Sequence, residues 1–379
     1  MNHANSAGRR AIRPVLAGLE TRELLSGIPK HPAIFAERAH PPQVVPTITQ
    51  LASAPNRQVS TIPANGDVNP YGVAIVPNDV RGGGALNPGD VLVANYNSSA
   101  NLQGTGTTIV RVTPQNQASV FFQTGPGFGL DTGLAVLKSG YVIVGNLPSA
   151  DGTSATAGQG SILVIDRNGH QVAELTDANL LNGPWDLTVH DAGSHGQVFV
   201  SNALSGTVSR FEFTIGRAGG FKMGSGVQIA SGYPHRGDPA AFELGPTGLA
   251  FNSKTDTLYV ASTADNVIYA INNAGKVRKD HGIGRVVYAD LAHLHGPLGL
   301  TFAPDGNLVV ANGDAVNPDP NNSSTLVEFT KAGKFVGQIS INPNAGGAFG
   351  VTSMFVGPAA HFAAVNDITN MLMVWEIKS

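Results

Sequence analysis

The chain of 379 residues predicts an all-β fold, a six-bladed β-propeller with four-stranded blades whose last blade is closed by an N-terminal strand. Three observations carry that prediction. A segment of the form Pro-x-Gly-Val-Ala-Ile recurs, with substitutions, centred on Gly72, Gly133, Asp186, Gly248, Gly299 and Gly350. Each copy precedes a short hydrophobic strand that closes at Asn95, Asn146, Asn202, Ser262, Asn312 or Asn366. The spacing of 51 to 62 residues belongs to repeat architectures, and the strands are too short for a helical solenoid. The last copy supplies only three strands, while Gln58-Val-Ser-Thr-Ile62 stands spare ahead of the first. Pairing the two closes the ring and leaves no exposed edge there.

One repeat shows the grammar in full. Leu298-Gly-Leu-Thr-Phe302, Asn307-Leu-Val-Val-Ala311, Leu326-Val-Glu-Phe329 and Phe335-Val-Gly-Gln-Ile339 read as four strands, with turns at Ala303-Pro-Asp-Gly306 and Lys331-Ala-Gly-Lys334. Elsewhere Leu258-Tyr-Val-Ala261 pairs with Val267-Ile-Tyr-Ala-Ile271 across Asp265-Asn266, and Ile162-Leu-Val-Ile165 runs through Arg167-Asn-Gly169 into Val172-Ala-Glu-Leu175. The chain divides into 1–56, a targeting segment and flexible Pro-rich linker, and 57–379, the propeller.

Composition agrees and excludes several functions. Gly 47 and Pro 24, with 13% charged residues, suit short strands joined by tight turns. A net charge of -3 without a basic block argues against a nucleic-acid partner, since phosphate binding needs concentrated Lys and Arg. With Cys 0 there is neither thiol chemistry nor a disulfide. No apolar run is long enough for a transmembrane span, and the expected state is a monomer.

Two resemblances follow from the motifs. Leu19-Glu-Thr-Arg-Glu-Leu-Leu-Ser26, behind Arg9, Arg10 and Arg13, resembles the N-terminal motif of exported and surface proteins of planctomycete bacteria, which implies a secreted or cell-surface location. Over residues 57 to 379, the Pro-x-Gly-Leu-Ala/Thr-Phe and Asp-Gly-Asn-Leu-Val-Val-Ala-Asn elements resemble six-bladed NHL-type propellers, and more loosely lactonase, senescence-marker and strictosidine-synthase-like propellers. Such folds serve binding modules, lyases and hydrolases alike.

In that class the first strand of each blade lines the channel, so Asn95, Asn146, Asn202, Asn312 and Asn366 stand near one mouth. Their amides can meet a polar ligand or cap their own turns. The lactonase-like resemblance implies a divalent ion held by one carboxylate and several Asn or Asp residues. Asp186, which replaces the repeated Gly, with Asn146 and Asn202, and Asp131 nearby, are the candidates for a Ca²⁺ site. No Glu stands at the first channel strand, where Tyr71-Gly-Val-Ala74 is neutral. His235, His293 and His295 form a second candidate set, suited to Zn²⁺. Trp185, beside Asp186, offers a stacking surface for a sugar or aromatic ligand. Long insertions at Tyr96 to Thr107, Leu147 to Gly160 and Gly313 to Ser324 build a wall on one side of the mouth and leave a lower side near His235.

These readings lead to an exported propeller that binds a polar small molecule, glycan or protein on its loop-rich top face. The alternative is a metal-dependent lyase or hydrolase at the channel mouth.

Overall fold

Each recurrent Pro-x-Gly segment is a β-bulge. The computed structural model describes residues 45–378, apart from Gly82 and the side chains of Asp131 and Thr132. In all six blades the register of the first strand slips at this segment, and the residue that opens it lies opposite the residue that closes the second strand or, in blade 1, one that stands two residues before its end. The pairs are Pro70 with Asn95, Leu130 with Asn146, Pro184 with Asn202, Pro246 with Ser262, Pro297 with Asn312, and Ala348 with Asn366. The extra residue, two in blade 2, lets the inner strand bend at the mouth of the channel.

The bulge demands glycine because neighbouring inner strands meet backbone to backbone. A Cβ on Gly350 would lie 1.8 Å from the Tyr71 carbonyl oxygen, one on Gly248 2.1 Å from that of Leu298, and one on Gly133 2.7 Å from the Leu187 nitrogen. These approaches set how tightly the blades close around the axis.

Blade 1 spans 68–123, blade 2 130–175, blade 3 184–231, blade 4 246–289 and blade 5 297–340, each an antiparallel sheet of four strands in chain order. Blade 6 takes Ala348–Val356, Ala359–Asn366 and Met371–Ile377, and Arg57–Ser60 completes it by pairing with Met371–Ile377. The innermost strands touch in a closed circle, blade 6 against blade 1 included. Inner-strand side chains alternate between the two neighbouring blades, as a strand buried on both faces requires. In blade 1, Val73 and Ile75 enter the core shared with blade 6, and Ala74 enters the core shared with blade 2. Six such inter-blade cores hold the ring together.

Ahead of the closing strand, a short helix, Thr47–Leu51, packs Ile48 and Leu51 against blades 5 and 6. Its first amides reach carboxylates of blade 5, Thr47 N to Asp305 Oδ2 at 3.0 Å and Ile48 N to Glu328 Oε2 at 2.6 Å. The Trp375 indole donates to the Ser53 carbonyl at 2.9 Å. Residues 47–53, which the sequence places in the Pro-rich lead, are therefore bound to the propeller. The planctomycete-like segment at 19–26 lies outside the described residues. None of the described helices is long and apolar enough to cross a membrane.

Candidate functional site

The residue just before each bulge glycine points the way to the site. This x position holds Tyr71, Trp185, Leu298 and Phe349 in blades 1, 3, 5 and 6, and Thr132 and Thr247 in the other two. The four large side chains meet near the axis and form an apolar layer with Tyr96, Leu147, Ala203 and Phe242. Trp185 stands edge-on to Tyr71 at 5.9 Å and donates its indole N–H to the Tyr71 hydroxyl at 3.1 Å. Tyr71 also packs on Phe349 at 4.8 Å, and Phe242 meets Tyr96 at 5.8 Å. Such offset and edge-on ring pairs are mutually favourable.

This layer separates two cavities, both of which Tyr71, Trp185 and Leu298 line. Below it runs the channel, about 290 Å³, walled by Val73, Ile75, Leu134, Leu187, Leu249 and Leu300. Above it, on the face where the Asn-terminated strands end, lies a cavity of about 430 Å³. Asn69, Asn97, Asn101, Gln103, Asp314 and Asp367 form its polar wall.

Asp186 stands in the channel wall, as its place in the repeat implies. Its Oδ1 accepts the Leu187 amide at 2.7 Å, and its Oδ2 accepts the Leu249 amide of blade 4 at 3.0 Å. Where blades 2, 4, 5 and 6 bring a glycine against the next inner strand, blade 3 spans the gap with a carboxylate. Burial among aliphatic side chains pushes its pKa up to about 7, against the opposing pull of the two amides.

The five predicted asparagines are clasps between the end of the second strand and the chain entering the same blade. Asn146 accepts the Gly129 amide and donates to Ser161 Oγ, both at 2.9 Å. Asn202 accepts from Asn182 N and donates to the Leu180 carbonyl, and Asn312 repeats the pattern with His295 N and the His293 carbonyl. Asn95 donates to the Thr61 carbonyl and Asn366 to that of Ile341. The turn-capping use of these amides is the one present in the structure.

The divalent ion implied by the lactonase-like resemblance does not fit this donor set. Both oxygens of Asp186 are occupied by backbone amides, the amides of Asn146 and Asn202 are occupied as above, and the layer over the channel is aromatic. The side chain of Asp131 lies outside the described residues. Among the described residues, no group of three or more His, Asp or Glu is placed to hold a metal. The three histidines have separate partners. His235 Nδ1 is 3.1 Å from the Tyr233 carbonyl, His293 Nδ1 is 2.6 Å from Asp290 while its ring stacks on Phe335, and His295 Nδ1 meets the Asn317 carbonyl.

The side of the mouth near His235, expected to be low, is instead covered. Arg236–Asp238 and Phe242–Leu244 form a hairpin that leans over the top face. Glu243 accepts from Ser154 of blade 2 at 3.0 Å, and the Ala240 carbonyl accepts from Gln103 of blade 1 at 3.0 Å. Phe242 is held at φ 66°, a region that bulky side chains rarely adopt, and this directs its ring into the aromatic layer.

Sequence reasoning passed over Asn69, Phe242, Phe349 and Asp367. Comparing the x residue across the repeats exposes Phe349. Nothing local marks the others, which the ring brings together from distant blades.

Known structures match the fold. A gluconolactonase from Xanthomonas campestris aligns with 86% of this chain and 92% of its own at 14% identity and a TM-score of 0.51. Streptogramin B lyase aligns over 85% and 88% at 14% identity and a TM-score of 0.46. A calcium-binding protein, regucalcin, from Agrobacterium tumefaciens aligns over 85% and 95% at 12% identity and a TM-score of 0.49. No protein-family model and no curated protein matches the sequence. The chain is a six-bladed β-propeller with structural neighbours of the gluconolactonase type.

Proposed function

We propose that this protein is a binding propeller whose top-face cavity takes a polar small molecule with an apolar part. The observation that carries the reading is the cavity of about 430 Å³, with six amide and carboxylate side chains standing over an aromatic floor. Small-molecule sites have this size and this mixture of an apolar bed with a few oriented polar groups. The lining comes from loops and strand ends of blades 1, 3, 5 and 6 and from the hairpin, so recognition can vary without disturbing the inter-blade cores.

A fragment panel of saccharides, aromatic amides and amines, followed by tryptophan fluorescence, tests this. The chain has Trp 2, so in Trp375→Phe the signal comes from Trp185 under the cavity. Saturable quenching by at least one class supports the reading, and a flat response to all of them overturns it. Export belongs to the same proposal and rests on the resemblance at residues 19–26. Fractionation of producing cells should find the chain outside the cytoplasm, and retention of the whole pool inside would refute that part.

A hydrolase or lyase reading is favoured by one feature, the channel carboxylate of Asp186 with its pKa pushed up to about 7. Turnover of a lactone or ester panel that disappears in Asp186→Asn would establish it.

A further inference from the structure

We infer that the ligand of the upper cavity is an organic cation, an ammonium group carried on an apolar or aromatic body. The inference rests on the reading of that cavity as a binding site and adds the charge of what it takes. Its lining contains Asp314 and Asp367 and no Lys, Arg or His. A neutral ligand would leave Asp367 without a counter-charge and Asp314 with only His295, outside the lining, near it, and an anion would be repelled by both carboxylates.

Two buried acceptors in this lining lack donors, and a half-buried carboxylate has no hydrogen bond either. Asp314 is 7% exposed, and its Oδ2 accepts the amides of Ser324 at 2.7 Å and Gly346 at 3.1 Å. Its Oδ1 is buried and has no partner among the described residues. Asn69, also 7% exposed, donates from Nδ2 to Asn97 Oδ1 at 3.1 Å, and its own Oδ1 is left buried without a partner there. The Asp367 carboxylate is half-buried and has no side-chain hydrogen bond among the described residues, and desolvation alone raises its pKa. Buried acceptors in this state call for donors. An ammonium brings up to three N–H donors together with the missing charge.

The floor selects the kind of cation. Tyr71, Tyr96, Trp185 and Phe349 line the same cavity, and aromatic faces attract ammonium groups while packing against the hydrocarbon that bears them. A hard divalent ion would need six or more oxygens and would gain little from the rings.

Calorimetric titration of the full chain at pH 8.5, above the value of about 7 to which burial raises Asp367, tests the inference using 2-phenylethylamine, 2-phenylethanol, 3-phenylpropionate and calcium chloride. The amine should bind at least about 10-fold more tightly than the alcohol, and the carboxylate should not bind. Asp367→Asn and Asp314→Asn should each weaken the amine by roughly 10-fold with the alcohol unchanged, because a charge-assisted hydrogen bond is lost. Unchanged melting of the two variants assigns the loss to binding. Equal affinity for amine and alcohol overturns the cation and leaves the cavity reading standing. Calcium binding that displaces the amine and is lost in Asp367→Asn overturns it in favour of a metal. Silence from all four probes also overturns it, and the fragment panel then decides separately whether the cavity binds anything.

Discussion

Asp186 is the residue at which the repeat breaks its own rule. Glycine at this position permits close approach of two inner strands, and the carboxylate instead accepts the amide of the next one. Its pKa lies at about 7 in the fold, against 3.8 as the ordinary value. Between those values the folded chain holds a proton that the unfolded chain has released. The stabilisation is therefore present at low pH and is lost as the pH rises through about 7. Asp186→Asn should unfold in urea about 1–3 kcal/mol more readily than the parent at pH 5, because its Nδ2 cannot accept the second backbone amide. At pH 8.5 it should gain relative to the parent. An identical difference at both pH values would show that this carboxyl titrates in the ordinary range. The exception was legible in the sequence because five aligned copies supplied the rule. Its hydrogen-bond partner was not, because Leu249 belongs to another blade.

At the scale of the element, the bulged inner strand joins sequence motif to ring geometry. Gly350→Ala places a methyl group against the Tyr71 carbonyl, which is backbone and cannot rotate away. We expect a loss of about 1–3 kcal/mol in equilibrium unfolding. Gly125→Ala, where nothing lies within 4 Å of the added carbon, should stay within about 0.5 kcal/mol. Equal effects would mean that inter-blade contact is not what requires glycine. Strand order, turns and the six-fold equivalence were readable because period-2 patterning and turn glycines are local signals. The helix Thr47–Leu51 was missed because five residues after a proline give no periodicity, and its stability comes from docking.

For the whole molecule, ring closure is the decisive event. Arg57–Ser60 is the only strand described ahead of blade 1, and it covers the edge of Met371–Ile377. Removing residues 1–60 should lower the melting temperature by about 10 °C or more and promote association through that edge. A synthetic peptide of residues 46–62 should restore the parent value, whereas unchanged melting of the truncated chain would show that the ring holds without its closing strand. What the amino-acid order alone settled was the number of blades, their strands, their closure and the channel position of Asp186, since each repeats a local pattern. Which side chains share a cavity was settled only by the ring. It brings Asn69, Asp314 and Asp367 over Tyr71 and Trp185, and it turns the predicted asparagine ligands into clasps. Proximity across blades depends on how the ring packs, and residues far apart in the chain carry no local signal of it.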